Sequence, residues 1–270
     1  MRLNWIRQTQ SKLFIFGLIG SVYLLQFYGL WLIPFMDVDF PRPWNVYFVR
    51  SVQTSISIFF IWLVAPRAFE RFRFKFKPKT LRLGLIFTFA AGFPNIYYFG
   101  VDFKDAWDLF GGIVFALAIG IDEEIYDRGF TFGALERFGM EFALIFSSTF
   151  FGLAHFMNYL YGDESLSYVI GHVIDAAAFG YVMAALMLMT GNIYLPILVH
   201  TLIDIPWVMM PAPERTEAVT GSTDWASVAL YAITNILVAR LMIAHMRGDF
   251  NRIRTSPRLS KVARSLGLIE

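Results

Sequence analysis

The chain has 270 residues, of which 57% are hydrophobic and 18% aromatic, while only 16% are charged. Soluble domains average about 45–50% apolar and about 25% charged residues, so this composition argues against a soluble protein. The formal net charge is +2 and there is no cysteine, which excludes disulfides and thiolate chemistry. Runs of about 20 apolar residues instead predict a polytopic helical membrane protein.

We predict an all-α bundle of about eight membrane spans that forms one transmembrane domain over residues 1–270. The first apolar run is too long for a signal-peptide core, so we expect it to be retained as a span. The expected spans are residues 13–33, 46–64, 83–99, a run that begins near 109, 140–159, 168–189, 193–209 and 227–245.

The charges of the connecting segments predict that both termini are cytoplasmic. Residues 1–12, the loop 66–82 and the tail 247–270 are basic, whereas the loops near 37, 105, 163 and 217 are acidic or mixed. With eight spans, every strongly basic segment lies on the cytoplasmic side, as the positive-inside rule requires. The protein is therefore expected to be an integral multi-pass membrane protein.

Residues 67–79 alternate basic and aromatic side chains, a pattern that also occurs in nucleic-acid-binding segments. A short basic loop between two spans is more typical of a cytoplasmic segment with aromatic rings at the lipid interface. We therefore predict the lipid bilayer, and no nucleic acid, as the partner of this loop.

Four carboxylates and one arginine lie within Gly120–Gly129, between two apolar runs. An ionisable side chain near the middle of a span costs ~3 kcal/mol or more unless it is paired or faces a cavity. On a helix, Glu124 faces Arg128 one turn later, and Glu123 shares the neighbouring face with Asp127. Helical spacing thus gives Glu124 a counter-ion and makes Glu123 the candidate general base. A purely structural ion-pair cluster is the competing interpretation.

His155 ends the pattern Phe151-x-x-x-His155 on the next apolar run. The expected bend is at Phe138-Gly139. Glu123 precedes Phe138 by 15 residues (138 − 123) and His155 follows Gly139 by 16 (155 − 139), or about 23 and 24 Å of helix. In an antiparallel hairpin the two side chains would stand at the same depth.

His200 and Asp204 are four residues apart and share one helix face. Together with Glu123 and His155, they could activate a water molecule and hold a carbonyl oxygen. The same four side chains could equally ligate a divalent metal such as Zn²⁺. The residues do not decide between a metal and no cofactor.

The three patterns Glu123-Glu124-x-x-x-Arg128, Phe151-x-x-x-His155 and His200-x-x-x-Asp204 resemble the motifs of the CPBP intramembrane protease family. That family includes the CaaX-processing endopeptidase Rce1 and bacterial proteins linked to bacteriocin self-immunity. The resemblance covers about residues 109–206. It implies peptide-bond hydrolysis inside the membrane, with water activated by Glu123 and His155.

By the same resemblance, His200 and Asp204 would stabilise the oxyanion, and Glu124 with Arg128 would support the site. Two residues depart from the family pattern. Asp127 occupies a place usually held by an apolar residue, and either tunes the base or marks a divergent member. Asp204 stands where Asn is common, and an ionised aspartate cannot donate to an oxyanion, which favours a metal or a protonated Asp204.

His172 and Asp175 are a further polar pair, which we interpret as a helix-packing contact. The function predicted is an intramembrane endopeptidase acting on a membrane-associated or prenylated CaaX-type peptide. The alternatives are a non-catalytic membrane scaffold or immunity protein that keeps the polar cluster, and a small transporter. The membrane would be the cell membrane in a prokaryote or the endoplasmic reticulum in a eukaryote. The sequence leaves the substrate, the need for prenylation and the oligomeric state open.

Overall fold

The structure is a computed structural model and describes residues 12–28, 52, 54–56, 58–63, 78–161, 164–209, 219–247 and 261. The predicted cytoplasmic N-terminus, most of the basic loop 66–82 and all of the basic tail 247–270 except Arg247 and Lys261 lie outside the described residues. The loop near 37 and most of the acidic loops near 163 and 217 also lie outside the described residues. The number of spans and the side of each terminus therefore stay predictions.

All regular elements within the described residues are helical, which confirms the predicted all-α class. Residues 54–56 and 58–63 are also helical. The other elements are α1 (Lys12–Tyr28), α2 (Pro78–Phe99), α3 (Ala106–Glu124), a π-helix (Ile125–Thr131), α4 (Phe132–Leu135), a 3₁₀ turn (Glu136–Phe138), α5 (Met140–Ala154), α6 (Met157–Tyr161), α7 (Leu166–Thr190), α8 (Tyr194–Val208) and α9 (Trp225–Met246).

Three described helices are long and apolar enough to cross a membrane: Met140–Leu160, Leu166–Thr190 and Trp225–Met246. They correspond to the predicted spans 140–159, 168–189 and 227–245. The chain is thus a membrane protein by the length and composition of its helices. Shorter apolar helices cover Leu81–Pro94 and Tyr194–Val208.

Polar caps explain where the helices begin. The carboxylate of Asp105 accepts from the backbone N–H of the second residue of α3, Trp107, at 2.8 Å, and Asp224 caps α9 in the same way. A hydrogen bond from the Ser227 hydroxyl, with others from backbone N–H groups, holds the pKa of the Asp224 carboxyl below its ordinary value. Part of the acidic character of these loops therefore serves helix capping.

The predicted bend at Phe138-Gly139 is confirmed. Gly139 has φ of +111° between the 3₁₀ turn and α5, a conformation that L side chains rarely adopt. It reverses the chain so that α5 runs back along the preceding helices, and α4 and the π-helix pack against α5.

α7 is the central helix of the described fold. It packs against α5 on one side and α9 on the other, and most of its C-terminal half is buried. The crossing with α5 depends on a small residue, because a Cβ on Gly152 would lie 2.5 Å from the carbonyl oxygen of Val173. α8 packs between α2 and α3 and also contacts α7, which brings α3, α5, α7 and α8 around one polar cluster.

Candidate active site

The contact between α3 and α8 sets the position of the two glutamates. A Cβ added to Gly120 would lie 2.9 Å from Thr201 Oγ1 and 3.1 Å from the carbonyl oxygen of Ile197. Only glycine permits this approach without a shift of one helix. Because Glu123 and Glu124 follow Gly120 within about one turn, the approach sets them beside His200 of α8.

Glu124 and Arg128 form the predicted facing pair. Arg128 Nε lies 3.2 Å from Glu124 Oε2, and the two side chains are 1% and 0% exposed. The guanidinium also lies over the ring of Phe151, 4.6 Å from its centroid. This buried pair joins the end of α3 to the π-helix and to α5.

His200 joins Glu124 to the two other carboxylates of the cluster. Its Nδ1 lies 2.9 Å from Glu124 Oε1. An ionised carboxylate only accepts hydrogen bonds, so Nδ1 is the donor here. On the other side of the ring, Nε2 is 3.6 Å from Glu123 Oε2 and 3.6 Å from Asp204 Oδ2. Those distances are longer than a hydrogen bond, so Nε2 retains the ability to donate to a third oxygen.

Four charged side chains of the cluster fall into two groups according to their exposed fraction. The side chains of Glu123 and Asp204 are 19% and 20% exposed, whereas those of Glu124 and Arg128 are 0% and 1% exposed. The first group can therefore meet water or a substrate. The second group is buried, and Glu124 contacts the first group through His200.

His155 ends α5 next to this cluster. Its Nδ1 lies 2.9 Å from the carbonyl oxygen of Phe151, which can only accept, so Nδ1 carries the proton. Nε2 of the neutral ring is then an acceptor. His155 lies within electrostatic range of both Glu123 and His200. The structure thus brings Glu123, His155, His200 and Asp204 together from three helices.

Asp127 lies in a π-helix and not in the α-helix that the sequence suggested. The α-helix ends at Glu124, and residues 125–131 form a π-helix, whose i→i+5 bonding rotates later side chains. Asp127 accepts a hydrogen bond from the Tyr23 hydroxyl of α1 and lies 3.6 Å from Arg128 Nη1. Its buried carboxylate therefore ties the first described helix to the site.

The polar pair on α7 also belongs to this neighbourhood, which the sequence did not predict. The ring of His172 lies 4.6 Å from that of His155, centroid to centroid. Phe179, two turns further along α7, packs against His200 with centroids 5.2 Å apart. The only sequence signal was the position of His172 and Asp175 on an apolar helix.

The described residues contain no group of three or more His, Cys, Asp or Glu side chains arranged to hold a metal ion. Glu123, His155, His200 and Asp204 are close to one another but do not form such a ligand set as placed here.

The structure thus places a cluster of carboxylates and histidines among apolar helices. Residues 105–206 match the family described as type II CAAX prenyl endopeptidase Rce1-like, which confirms the resemblance drawn from the three motifs. The part of the chain that carries the site is thus similar to this family. Comparison with curated proteins and with solved structures gave no significant match.

Proposed function

We propose that the protein is an intramembrane endopeptidase that hydrolyses a peptide bond with a water molecule activated by Glu123. The observation that carries this proposal is the division of the cluster by exposure. Glu123 and Asp204 are about equally accessible, and His200 Nε2 lies 3.6 Å from both. An accessible carboxylate beside a positioned imidazole is the arrangement that general-base catalysis requires.

The two histidines would have different tasks because their Nδ1 atoms have different partners. Glu124 accepts from His200 Nδ1, which favours the protonated ring and leaves an N–H at Nε2 for a developing oxyanion. The Phe151 carbonyl accepts from His155 Nδ1, which leaves Nε2 of that ring as an acceptor for water. Arg128 would hold Glu124 in place.

In the first step, Glu123 takes a proton from the water as its oxygen attacks the carbonyl carbon of the substrate. The carbonyl oxygen becomes an oxyanion, which accepts a hydrogen bond from His200 Nε2. Asp204 adds a second donor in its protonated form. In the second step, the C–N bond breaks and the proton held by Glu123 passes to the leaving amine, with His155 orienting the water and the leaving group.

The substrate we propose is a membrane-associated peptide, and a prenylated CaaX-type C-terminus is the specific form. This proposal rests on the description of the matching family, type II CAAX prenyl endopeptidase. The apolar surfaces of the spans would place such a substrate in the bilayer beside the site. The protein would accordingly be an integral multi-pass membrane protein.

The test is the substitution Glu123→Gln in the purified full-length protein. The probe is a fluorescent peptide in which a farnesylated cysteine is followed by three residues and a free C-terminus. The midpoint of thermal unfolding is measured in parallel. We expect cleavage to fall by at least about 100-fold, the lower range for loss of a general base, with the midpoint retained. Tyr181→Phe on α7 is the control, since Tyr181 contacts Arg240 away from the cluster. Cleavage by the Gln variant at the wild-type rate would overturn the role of Glu123 as the general base. Absence of cleavage by the wild type would favour a scaffold.

A further inference from the structure

His172 and Asp175 of α7 lie beside the proposed catalytic cluster and have no part in the mechanism above. The described residues provide no hydrogen-bond partner for His172 Nδ1 or for Asp175 Oδ1, and both atoms are buried. A buried polar atom without a partner costs about 1–3 kcal/mol. Two such atoms one helical turn apart are therefore expected to have a partner supplied from elsewhere.

A single stripe of α7 carries both residues toward the cluster. Its members follow one another at helical spacings of four, three and four residues, so they share one face. They are Tyr168, His172, Asp175 and Phe179. Two of them make defined contacts in the cluster: His172 with the His155 ring and Phe179 with the His200 ring.

Asp175 lies on this stripe between those two contacts. The hydroxyl of Tyr231 on α9 lies within electrostatic range of both Asp175 and Asp204. Asp175 and Asp204 therefore both interact with the same side chain of α9.

We propose that His172 and Asp175 bind the main chain of the peptide substrate. Asp175 accepts a hydrogen bond from a backbone N–H, and His172 Nδ1 bonds a neighbouring backbone group. Three residues of helix separate them by about 4.5 Å along the axis. Backbone groups on one edge of an extended peptide are likewise a few ångströms apart, since each residue adds about 3.3 Å.

This inference rests on the proposed function, because it takes the substrate to be a peptide. It adds that recognition uses the main chain at α7, independently of the side-chain sequence. A peptide held at α7 would have its adjoining carbonyl beside His200 and Glu123, since the rings of His155 and His172 are in contact. Orientation of this kind is a large part of what an active site contributes.

The experiment measures KM and kcat for cleavage of the farnesylated fluorescent peptide by His172→Phe and Asp175→Leu. Phe keeps the ring that packs on His155, and Leu keeps the approximate volume of Asp. We expect KM to rise about 5- to 30-fold in each variant, with kcat within about two-fold, as for loss of one hydrogen bond. Asp175→Asn keeps an acceptor oxygen and should restore KM. Tyr181→Phe, on the same helix, should leave both constants unchanged.

Binding of the same peptide to the Glu123→Gln protein, measured by fluorescence anisotropy, separates this proposal from the proposed function. A weaker Kd after His172→Phe or Asp175→Leu supports the binding role even if the wild type cleaves nothing. Normal cleavage with unchanged KM and Kd overturns the binding role and leaves the protease proposal intact. A lowered thermal midpoint with unchanged KM would mean that the two side chains hold a structural water only, and this also overturns it.

Discussion

The pair Glu124 and Arg128 gives the sharpest test of how the cluster is held together. Both side chains are almost fully buried, and Arg128 Nε lies 3.2 Å from Glu124 Oε2. Substituting Arg128 by Met keeps the packing of the aliphatic stem but leaves the Glu124 carboxylate without its cation. Removing one partner of a buried ion pair costs about 3–5 kcal/mol, because the other charge stays buried and uncompensated.

The expected loss corresponds to a fall of about 10 °C in the thermal midpoint, at about 2–4 °C per kcal/mol. The second variant, Glu124→Gln, retains an oxygen that can accept from His200 Nδ1, which lies 2.9 Å away. The double variant Glu124→Gln/Arg128→Met removes both charges. We expect it to be more stable than the sum of the single changes by about 2 kcal/mol, the coupling typical of contacting residues. The assay is thermal unfolding of the purified protein in one detergent.

Two results would refute this reasoning. If Arg128→Met cost less than about 1 kcal/mol, Glu124 would have a compensating environment other than Arg128, as an exposed pair does. If the effects in the double variant were additive, the two charges would not be coupled, and the 3.2 Å contact would not describe the folded protein.

Three further predictions concern the residues around this pair. Asp204→Asn keeps a hydrogen-bond donor and should keep measurable cleavage, whereas Asp204→Ala should lower kcat about 100-fold, as for loss of an oxyanion donor. Gly120→Ala would place a Cβ 2.9 Å from Thr201 Oγ1, so α3 and α8 must separate and kcat should fall about 10-fold. Tyr23→Phe removes the hydroxyl that donates to buried Asp127 and should cost about 1–3 kcal/mol in thermal unfolding, with kcat little changed.

Each of these has a control or a contrary result. Equal activity of the Asn and Ala variants at position 204 would remove Asp204 from the mechanism. Gly17→Ala is the control for Gly120→Ala, because a Cβ on Gly17 meets nothing within 4 Å. Equal effects of the two glycine variants would mean that the α3–α8 approach is not tight. An unaltered thermal midpoint for Tyr23→Phe would show that Asp127 does not depend on α1.

Much of the cluster could be predicted from the sequence because helical spacing fixes which side chains share a face. The pairing of Glu124 with Arg128 and the bend at Gly139 follow from spacing and residue type, and both are confirmed. The proximity of His200 to the two glutamates could be predicted only from the three motifs taken together. No single apolar helix specifies its neighbours, since the apolar faces of α2, α7 and α8 are alike in composition.

Two features could not be predicted in this way. The π-helix at 125–131 is a change of hydrogen-bond register that no residue type indicates. The hydroxyl of Tyr23 lies 104 residues earlier in the chain and in a segment without a motif. The available signal was indirect, because a buried carboxylate such as Asp127 requires a polar partner. The contact between His172 and His155 was likewise not predictable, because it depends on how α5 crosses α7.

The bond between Tyr23 and Asp127 limits how this site could be transplanted. The family match begins at Asp105, so a chimaera that grafts residues 105–206 into another helical scaffold would include Asp127 and leave its phenol partner behind. The grafted segment would then carry an unsolvated acid within one turn of Glu124. A graft of this site must therefore include α1, or must replace Asp127 by an apolar residue at the same time.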